Sequence, residues 1–493
     1  MAQIAPPRTQ SPTLPLADLK VGTTGAGSAG LQASLGRSAA LLQQYDRPGP
    51  RYTSYPTAVE FTERFDERAY RERLHGAAGA VDEPLSLYVH LPFCEARCTY
   101  CGCMTIITRK REVAARYLEY LEREIAMVAA ELNGRRRVVQ YHWGGGTPTY
   151  LSPAQIEQLH ACVAKHFDVD PAGEIAIEVD PRVTTPEQLK VLHGLGFNRL
   201  SMGIQDFTPE VQAAIGRRQS AVHTRDLYDA ARAIGFRSIN LDLIYGLPLQ
   251  TVETFDRTLR SVIAMRPERI AVYSYAHVPW LRPHQKQINT ADLPDRTTKF
   301  ELIGLAIDAF GEAGYDAIGM DHFALPEDDL AIAARERRLH RNFMGYTTRR
   351  AGDMLGVGVS AIGDLHGAFA QNVKKLSTYY DALDAGRLPI ERGYALSADD
   401  LLRRHVITQL MCNFYIDRGE TSRRFGVAFD AYFDRELAAL AAPGGPVEHG
   451  FLRIEANSLE VTEHGRLFVR NICMQFDKYL AAHDGRPVFS RTI

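Results

Sequence analysis

Leu85-Ser86-Leu87-Tyr88-Val89-His90-Leu91 runs through Pro92-Phe93 directly into Cys94-Glu95-Ala96-Arg97-Cys98-Thr99-Tyr100-Cys101-Gly102-Cys103. The first segment is short and apolar and reads as a buried strand. The second crowds four cysteines into ten residues, the first three at the spacing C-x3-C-x2-C. Thiolates packed this densely are metal ligands. One loop can wrap three sulfurs around a face of an iron–sulfur cube and leave the fourth iron open to a small molecule. A structural zinc site with Cys103 as fourth ligand is the alternative, but the single residue Gly102 between two ligands is tighter than the usual zinc spacing of about two to four residues. The spacing favours the cluster.

The strand that feeds this loop is the first of a series. Strand-like stretches at 85–91, 138–143, 174–179, 199–205, 238–244, 269–276 and 315–320 alternate with helical patterns at 114–132, 153–167, 222–234, 252–265 and 296–313. This alternation predicts an α/β fold, a parallel sheet with helices outside, closed or nearly closed as a TIM-like β/α barrel over 85–388. Within the strands, period 2 sorts the faces. Ile175, Ile177 and Val179 oppose Ala176, Glu178 and Asp180; Leu200, Met202 and Ile204 oppose Ser201, Gly203 and Gln205; Ile239, Leu241 and Leu243 oppose Asn240, Asp242 and Ile244. An ordinary barrel lumen is filled by branched apolar side chains, so a lumen lined by small and polar ones is built to hold something polar. Glu178, Gln205 and Asp242 stand near the C-terminal ends of consecutive strands, where such barrels carry their chemistry, and should ring the mouth beside the cysteine loop.

Gly144-Gly145-Gly146-Thr147-Pro148-Thr149 follows the second strand, and glycines there let backbone approach a ligand. The stretch 355–363, Leu-Gly-Val-Gly-Val-Ser-Ala-Ile-Gly, superficially matches a dinucleotide fingerprint, but its late position argues against that role. Upstream, residues 1–44 read as a disordered tail, and 45–84 as an arm whose Tyr52, Tyr55 and Phe61 pin it to the body. Beyond 389 the pattern turns helical at 401–414, 429–440 and 463–480, around a hairpin at 452–461, a winged-helix-like second domain without a basic wing.

Composition sets outer limits. Of 493 residues, 45% are hydrophobic and 24% charged, as in a soluble chain with a large and a smaller domain. Lys plus Arg number 57 against 59 Asp plus Glu, which excludes a global footprint for nucleic acid or an anionic membrane. An anionic substrate must therefore be met by a local basic cluster. Cys162, Cys412 and Cys473 sit in apolar contexts as buried thiols, so cysteine usage is that of a reducing compartment, the cytoplasm. No apolar run has the length of a membrane span.

The motifs carry a resemblance. C-x3-C-x2-C with an aromatic, Tyr100, before the third cysteine resembles the radical S-adenosylmethionine (SAM) enzymes. Tyr88-Val89-His90-Leu91-Pro92-Phe93-Cys94, the triplet Cys101-Gly102-Cys103 and the upstream Arg51-Tyr52-Thr53-Ser54-Tyr55-Pro56-Thr57 are similar to the oxygen-independent coproporphyrinogen III oxidases of haem synthesis, over most of the chain from about residue 51. The resemblance implies a [4Fe-4S] cluster held by Cys94, Cys98 and Cys101, with Cys103 outside the ligand set. It implies one SAM at Tyr88, Gly145, Glu178 and Ile362, and a second at Tyr100, Gly146, Thr147, Gln205, Arg217, Asp242 and Ala276. Phe also occurs at the position of Tyr100, and either ring can stack.

What the resemblance implies chemically is conversion of two propionates of coproporphyrinogen III to the vinyls of protoporphyrinogen IX by a 5′-deoxyadenosyl radical, in a monomer fed by a low-potential electron donor such as a flavodoxin or ferredoxin. The substrate's four carboxylates call for basic residues, for which Arg341, Arg349 and Arg350 are the candidates. Two other readings share the three-cysteine loop. One is a haem-binding chaperone without decarboxylase activity, whose kind tends to lack the Cys-Gly-Cys triplet and the arm; the other is an anaerobic haem-degrading radical SAM enzyme.

Overall fold

The computed structural model describes residues 41, 43–349, 351–483 and 488–492. The expectation of a disordered tail over 1–44 thus lies almost wholly outside the described residues. Twelve strands form one sheet: β1 Leu85–Leu91, β2 Arg137–Gly145, β3 Asp168–Val179, β4 Arg199–Gln205, β5 Ser238–Tyr245, β6 Arg269–Ser274, β7 Asp316–Ile318, β8 His322–Ala324, β9 Asp353–Val357, β10 Ile362–Leu365, β11 Ala368–Asn372 and β12 Ile390–Ala395. Their order is β12-β11-β10-β9-β1-β2-β3-β4-β5-β6-β8-β7. From β9 through β1 to β6 all neighbours are parallel, and both edges are extended by antiparallel strands. Helices Pro153–His166, Pro186–Gly194 and Val252–Met265 return the chain between strands. Each opens with a capping box, at Ser152, Thr185 and Thr251, which satisfies N–H groups the first turn leaves free.

The parallel sheet under outer helices is as expected, with one correction: the stretch 315–320 is not a barrel strand, because β7 is a three-residue edge strand antiparallel to β8. The sheet stops short of closure, as a partial barrel does, with β12 and β7 ending it without pairing to each other. The gap is bridged by the N-terminal arm. Arg51 Nη2 donates to the carbonyl of Ser274 at the end of β6 (2.6 Å), and Thr62 pairs with Gly393 of β12. Between them Tyr52, Tyr55 and Phe61 are buried, as the arm reading expects, and Phe61 stacks on Phe369 of β11 at 5.4 Å.

Downstream, helix Ala398–Asn413 and the hairpin of Leu452–Ile454 and Ser458–Val461 match expectation, with Tyr415–Asp417 as a third strand. The stretch 429–440 breaks into Phe429–Tyr432 and Asp434–Ala441. The stretch 463–480 is not one helix but short turns at Arg466–Phe468, Val469–Cys473 and Met474–Phe476. The reason is burial on every side, from Phe468 through Phe476 except for Gln475. There Arg470 donates to the carbonyl of Pro50 (2.9 Å) and Asn471 to that of Tyr45 (2.7 Å), tying this segment to the arm.

One buried ion pair fixes the first parallel strands. Arg135, 1% exposed, donates to Asp353 at the start of β9 (2.5 Å) and to the carbonyls of Ala77 and Glu83 (both 3.0 Å). Arg135→Ala leaves the buried Asp353 carboxylate without its counter-charge, and a stability loss of about 3–5 kcal/mol is expected, read from a lower denaturant midpoint at unchanged slope.

Candidate active site

A cleft of about 860 Å3 opens at the C-terminal ends of the parallel strands. It is lined by Cys94, Cys98, Cys101, Tyr100, Gly145, Gly146, Thr147, Glu178, Gln205, Arg217, Asp242 and Ala276, so twelve of the fourteen site residues expected from sequence meet there. Tyr88 and Ile362 do not line it. Tyr88 lies in mid-β1, its hydroxyl hydrogen-bonded to His90 Nδ1 (3.0 Å), and Ile362 opens β10 against the backbone of Gly356, the β9 partner of Tyr88. The 355–363 stretch runs from the end of β9 through a turn at 358–361 into β10, so no helix follows to receive a pyrophosphate.

The cysteine loop is held from both sides. Gly146 N–H donates to Leu91 O and Thr147 N–H to Phe93 O (both 2.8 Å), prolonging the β1–β2 pairing to the foot of the loop. Further along, Thr99 N–H donates to Ile215 O (3.0 Å), Gln285 Nε2 to Tyr100 O (2.9 Å), and His284 Nε2 bonds Cys101 O (2.7 Å). Cys98 is buried, Cys94 and Cys101 half-buried, and Cys103 exposed with its N–H on Cys101 Sγ (3.4 Å). Burial pushes the Cys94 thiol up to about 11, while the hydrogen bond from Cys103 brings Cys101 down to about 6. Among the described residues no three His, Cys, Asp or Glu side chains converge on a single ion.

The glycine run serves neighbours within the chain. Gly145 has φ +115°, and a Cβ there would lie 2.5 Å from the His90 ring; one on Gly146 would lie 2.6 Å from the Pro92 backbone. Gly145 N–H donates to Glu178 Oε2 (3.1 Å), and His142 Nε2 lies 3.4 Å from Oε1. Burial raises the Glu178 carboxyl, but His142 and the Gly145 N–H outweigh it and leave it below its ordinary value.

Asp242 accepts from Ser201 Oγ (2.8 Å) and Asn240 Nδ2 (2.7 Å); burial, which these bonds only partly offset, pushes it up to about 6. Arg217 grips Asp180 with both Nη atoms (3.0 and 3.1 Å) and donates to Gly203 O (2.7 Å), which leaves its Nε buried without a partner. Arg182 shares the same carboxylate (2.6 Å), and both guanidiniums lie against Cys98 Sγ, at 3.6 Å for Arg182 and 3.8 Å for Arg217.

Asp180, which lines the cleft and holds both guanidiniums, was passed over by sequence reasoning, although its place on the Glu178 face was visible. Arg341 and Arg349, expected as part of a basic patch, do not line the cleft. Arg341 donates to Arg51 O (2.8 Å) without lining the cleft, Arg349 donates to Ala172 O (3.2 Å) in the first half of β3, and Arg350 lies outside the described residues. The cations that face the cleft besides Arg182 and Arg217 are Arg51, Arg97, Arg282, Lys374 and Arg392. They come from separate segments, so no local run announces them.

Comparison with known proteins agrees with this geometry. The Radical SAM superfamily model matches residues 88–262, and the HemN C-terminal domain model matches residues 396–468. The solved structure of Escherichia coli coproporphyrinogen III oxidase (HemN), described as a radical SAM enzyme, is similar with a TM-score of 0.84 and 45% identity, covering 90% of this chain and 98% of that one. Fold and family model together define a radical SAM protein, a class that implies a [4Fe-4S] cluster and SAM. The oxygen-independent coproporphyrinogen III oxidase of Escherichia coli (strain K12) is 46% identical over 92% of this chain and 98% of its own length; that of Pseudomonas aeruginosa is 44% identical with the same coverage. The chain belongs to the family of oxygen-independent coproporphyrinogen III oxidases. No helix among the described residues is long and apolar enough to cross a membrane.

Proposed function

We propose that this protein carries out oxygen-independent oxidative decarboxylation of two propionates of coproporphyrinogen III, giving protoporphyrinogen IX. The observation that carries the reading is the three-cysteine loop at the mouth of a polar lumen, in a chain 46% identical over nearly full length to enzymes of that name.

The donor set fits the groups this chemistry needs. A four-iron cube asks its three thiolates to meet three different irons, which suits Cys94, Cys98 and Cys101 spread along one loop. The partnerless Nε of Arg217 marks a place for an anionic ligand end. With both groups bound, the site would supply one-electron reductive cleavage of SAM, and with it the power to take hydrogen from an unactivated propionate carbon so that carbon dioxide and one electron can leave.

The chain's own residues bind, orient and exclude water. Tyr88, Gly145, Glu178 and Ile362 would hold a first SAM; Tyr100, Gly146, Thr147, Gln205, Arg217, Asp242 and Ala276 would hold a second. Glu178 and Asp242 are acceptors whose orientation the Gly145 N–H, Ser201 and Asn240 already fix. The arm, bridging the gap in the sheet, shields the lumen from solvent. A monomer in the reducing cytoplasm, fed by a low-potential donor such as a flavodoxin or ferredoxin, completes the reading.

Asp242 gives it a pH signature. With its carboxyl at about 6, the charged acceptor is present above that value and lost as pH falls through it. SAM affinity should therefore drop below pH 6, and Asp242→Asn should bind more weakly with a flat profile; titration of SAM binding across pH 5–8 reads both. The reading as a whole is tested by anaerobic incubation of the reconstituted protein with coproporphyrinogen III, SAM and a low-potential reductant. Protoporphyrinogen IX, absent with Cys98→Ala, is expected; unchanged substrate beside an intact cluster would overturn it.

A further inference from the structure

The cations of the cleft differ in how much of their charge is already used. Arg182 and Arg217 share Asp180, and Lys374 pairs with Glu391 at 2.9 Å. Arg97 and Arg282 belong to the cysteine loop and to the segment that braces it, beside the cluster end of the cleft. Arg51, on the arm, and Arg392, on β12, also line the cleft; neither lies within ion-pair distance of a carboxylate among the described residues, although Arg51 is near enough to Asp321 to help hold that carboxyl below its ordinary range.

Both are oriented by neutral partners, which fix a guanidinium without neutralising it. Arg51 Nη2 donates to Ser274 O (2.6 Å). Arg392 Nε donates to Gln371 Oε1 (2.8 Å), its register partner on β11; Gln371 is itself buried and anchored on Ser360 O (3.4 Å). The Arg392 guanidinium also lies over the ring of Phe61, 5.9 Å from its centroid. One anchor thus belongs to the arm and the other rests on it. A planar fork held by one edge keeps its remaining N–H groups for a bidentate acceptor, and a carboxylate is the acceptor whose geometry matches.

We propose that Arg51 and Arg392 form a carboxylate-binding wall that holds propionates of the tetrapyrrole away from the reacting one and so sets which side chain reaches the radical. This rests on the functional reading above and adds to it the residues that recognise the substrate's charge. The arm then has a second task besides closing the sheet, because it places both anchors.

The test is steady-state kinetics with coproporphyrinogen III at several salt concentrations, together with fluorescence titration of the stable oxidised ring, coproporphyrin III. Arg392→Gln is expected to raise KM roughly tenfold or more, with a smaller change in kcat, and to flatten the salt dependence of kcat/KM. Arg392→Lys, which keeps charge without the fork and is the variant to use if the glutamine protein does not fold, should fall between it and the wild type. A wild-type KM and an undiminished salt dependence in Arg392→Gln would overturn the proposal alone. A wild-type protein that neither binds coproporphyrin III nor consumes coproporphyrinogen III would overturn the functional reading, and this one with it.

Discussion

Asp180→Asn should lower kcat/KM by roughly two to three orders of magnitude, the kinetic equivalent of breaking a buried charge pair. Asp180 is buried and accepts from both Nη atoms of Arg217 and from Arg182. Those guanidiniums outweigh the burial that would otherwise raise its carboxyl, and hold it below the usual range. An amide keeps the shape but offers one acceptor oxygen and no charge, so two cations would share a buried site with nothing between them. Arg217 would be free to swing away from the place on the cleft wall where Asp180 and Gly203 O hold it. Asp180→Glu keeps the charge and should retain more activity than the amide. SAM binding by the isolated variant reads the loss of Arg217 positioning directly.

Gly146→Ala should abolish cluster loading in a protein that still folds its barrel. The added methyl would lie 2.6 Å from the carbonyl carbon of Pro92 and 2.8 Å from Phe93 O. These are backbone atoms of the turn from β1 into the cysteine loop, and they cannot step aside as a flexible side chain would. The clash also falls on the pair of hydrogen bonds, Gly146 N–H to Leu91 O and Thr147 N–H to Phe93 O, that set where the loop begins. Overpacking of this kind costs about 1–3 kcal/mol, and relief by parting the strands would carry Cys94 away from its sister thiols. Iron and acid-labile sulfide after reconstitution, with circular dichroism for the fold, separate the two effects.

Both residues show what could be read from sequence and what could not. Strands β3 to β5 were legible because each has one face on helices and one on a polar lumen, so alternation survives in the residues themselves, whereas β1 was read from its apolar run. The same alternation put Glu178, Gln205 and Asp242 in register, and the local cysteine and glycine motifs delivered the loop. By contrast β9 is buried along all five residues, so it carries no period, and its Gly356 reads as loop although a Cβ there would lie 2.5 Å from Ile362 O. The stretch 463–480 has helical spacing, but its middle, 468–476, is packed on nearly every side, and tertiary contacts break it.

Asp180 looked like one more lumen residue because its role depends on Arg217, which arrives from beyond the next strand. The wall of Arg51 and Arg392 was invisible for the same reason: an open sheet brings its two edges together only through an arm that precedes both. Closeness in sequence, which is all that Arg341, Arg349 and Arg350 share, says nothing about which side of a barrel a residue faces.

A radical made beside the cysteine loop that takes hydrogen from the propionate β-carbon of a tetrapyrrole held in this cleft must leave that hydrogen in 5′-deoxyadenosine. Coproporphyrinogen III deuterated at those carbons, turned over anaerobically with SAM and reductant, tests this in one mass spectrum. Deuterium is expected in the recovered 5′-deoxyadenosine. Protoporphyrinogen IX formed beside 5′-deoxyadenosine that carries none would contradict it.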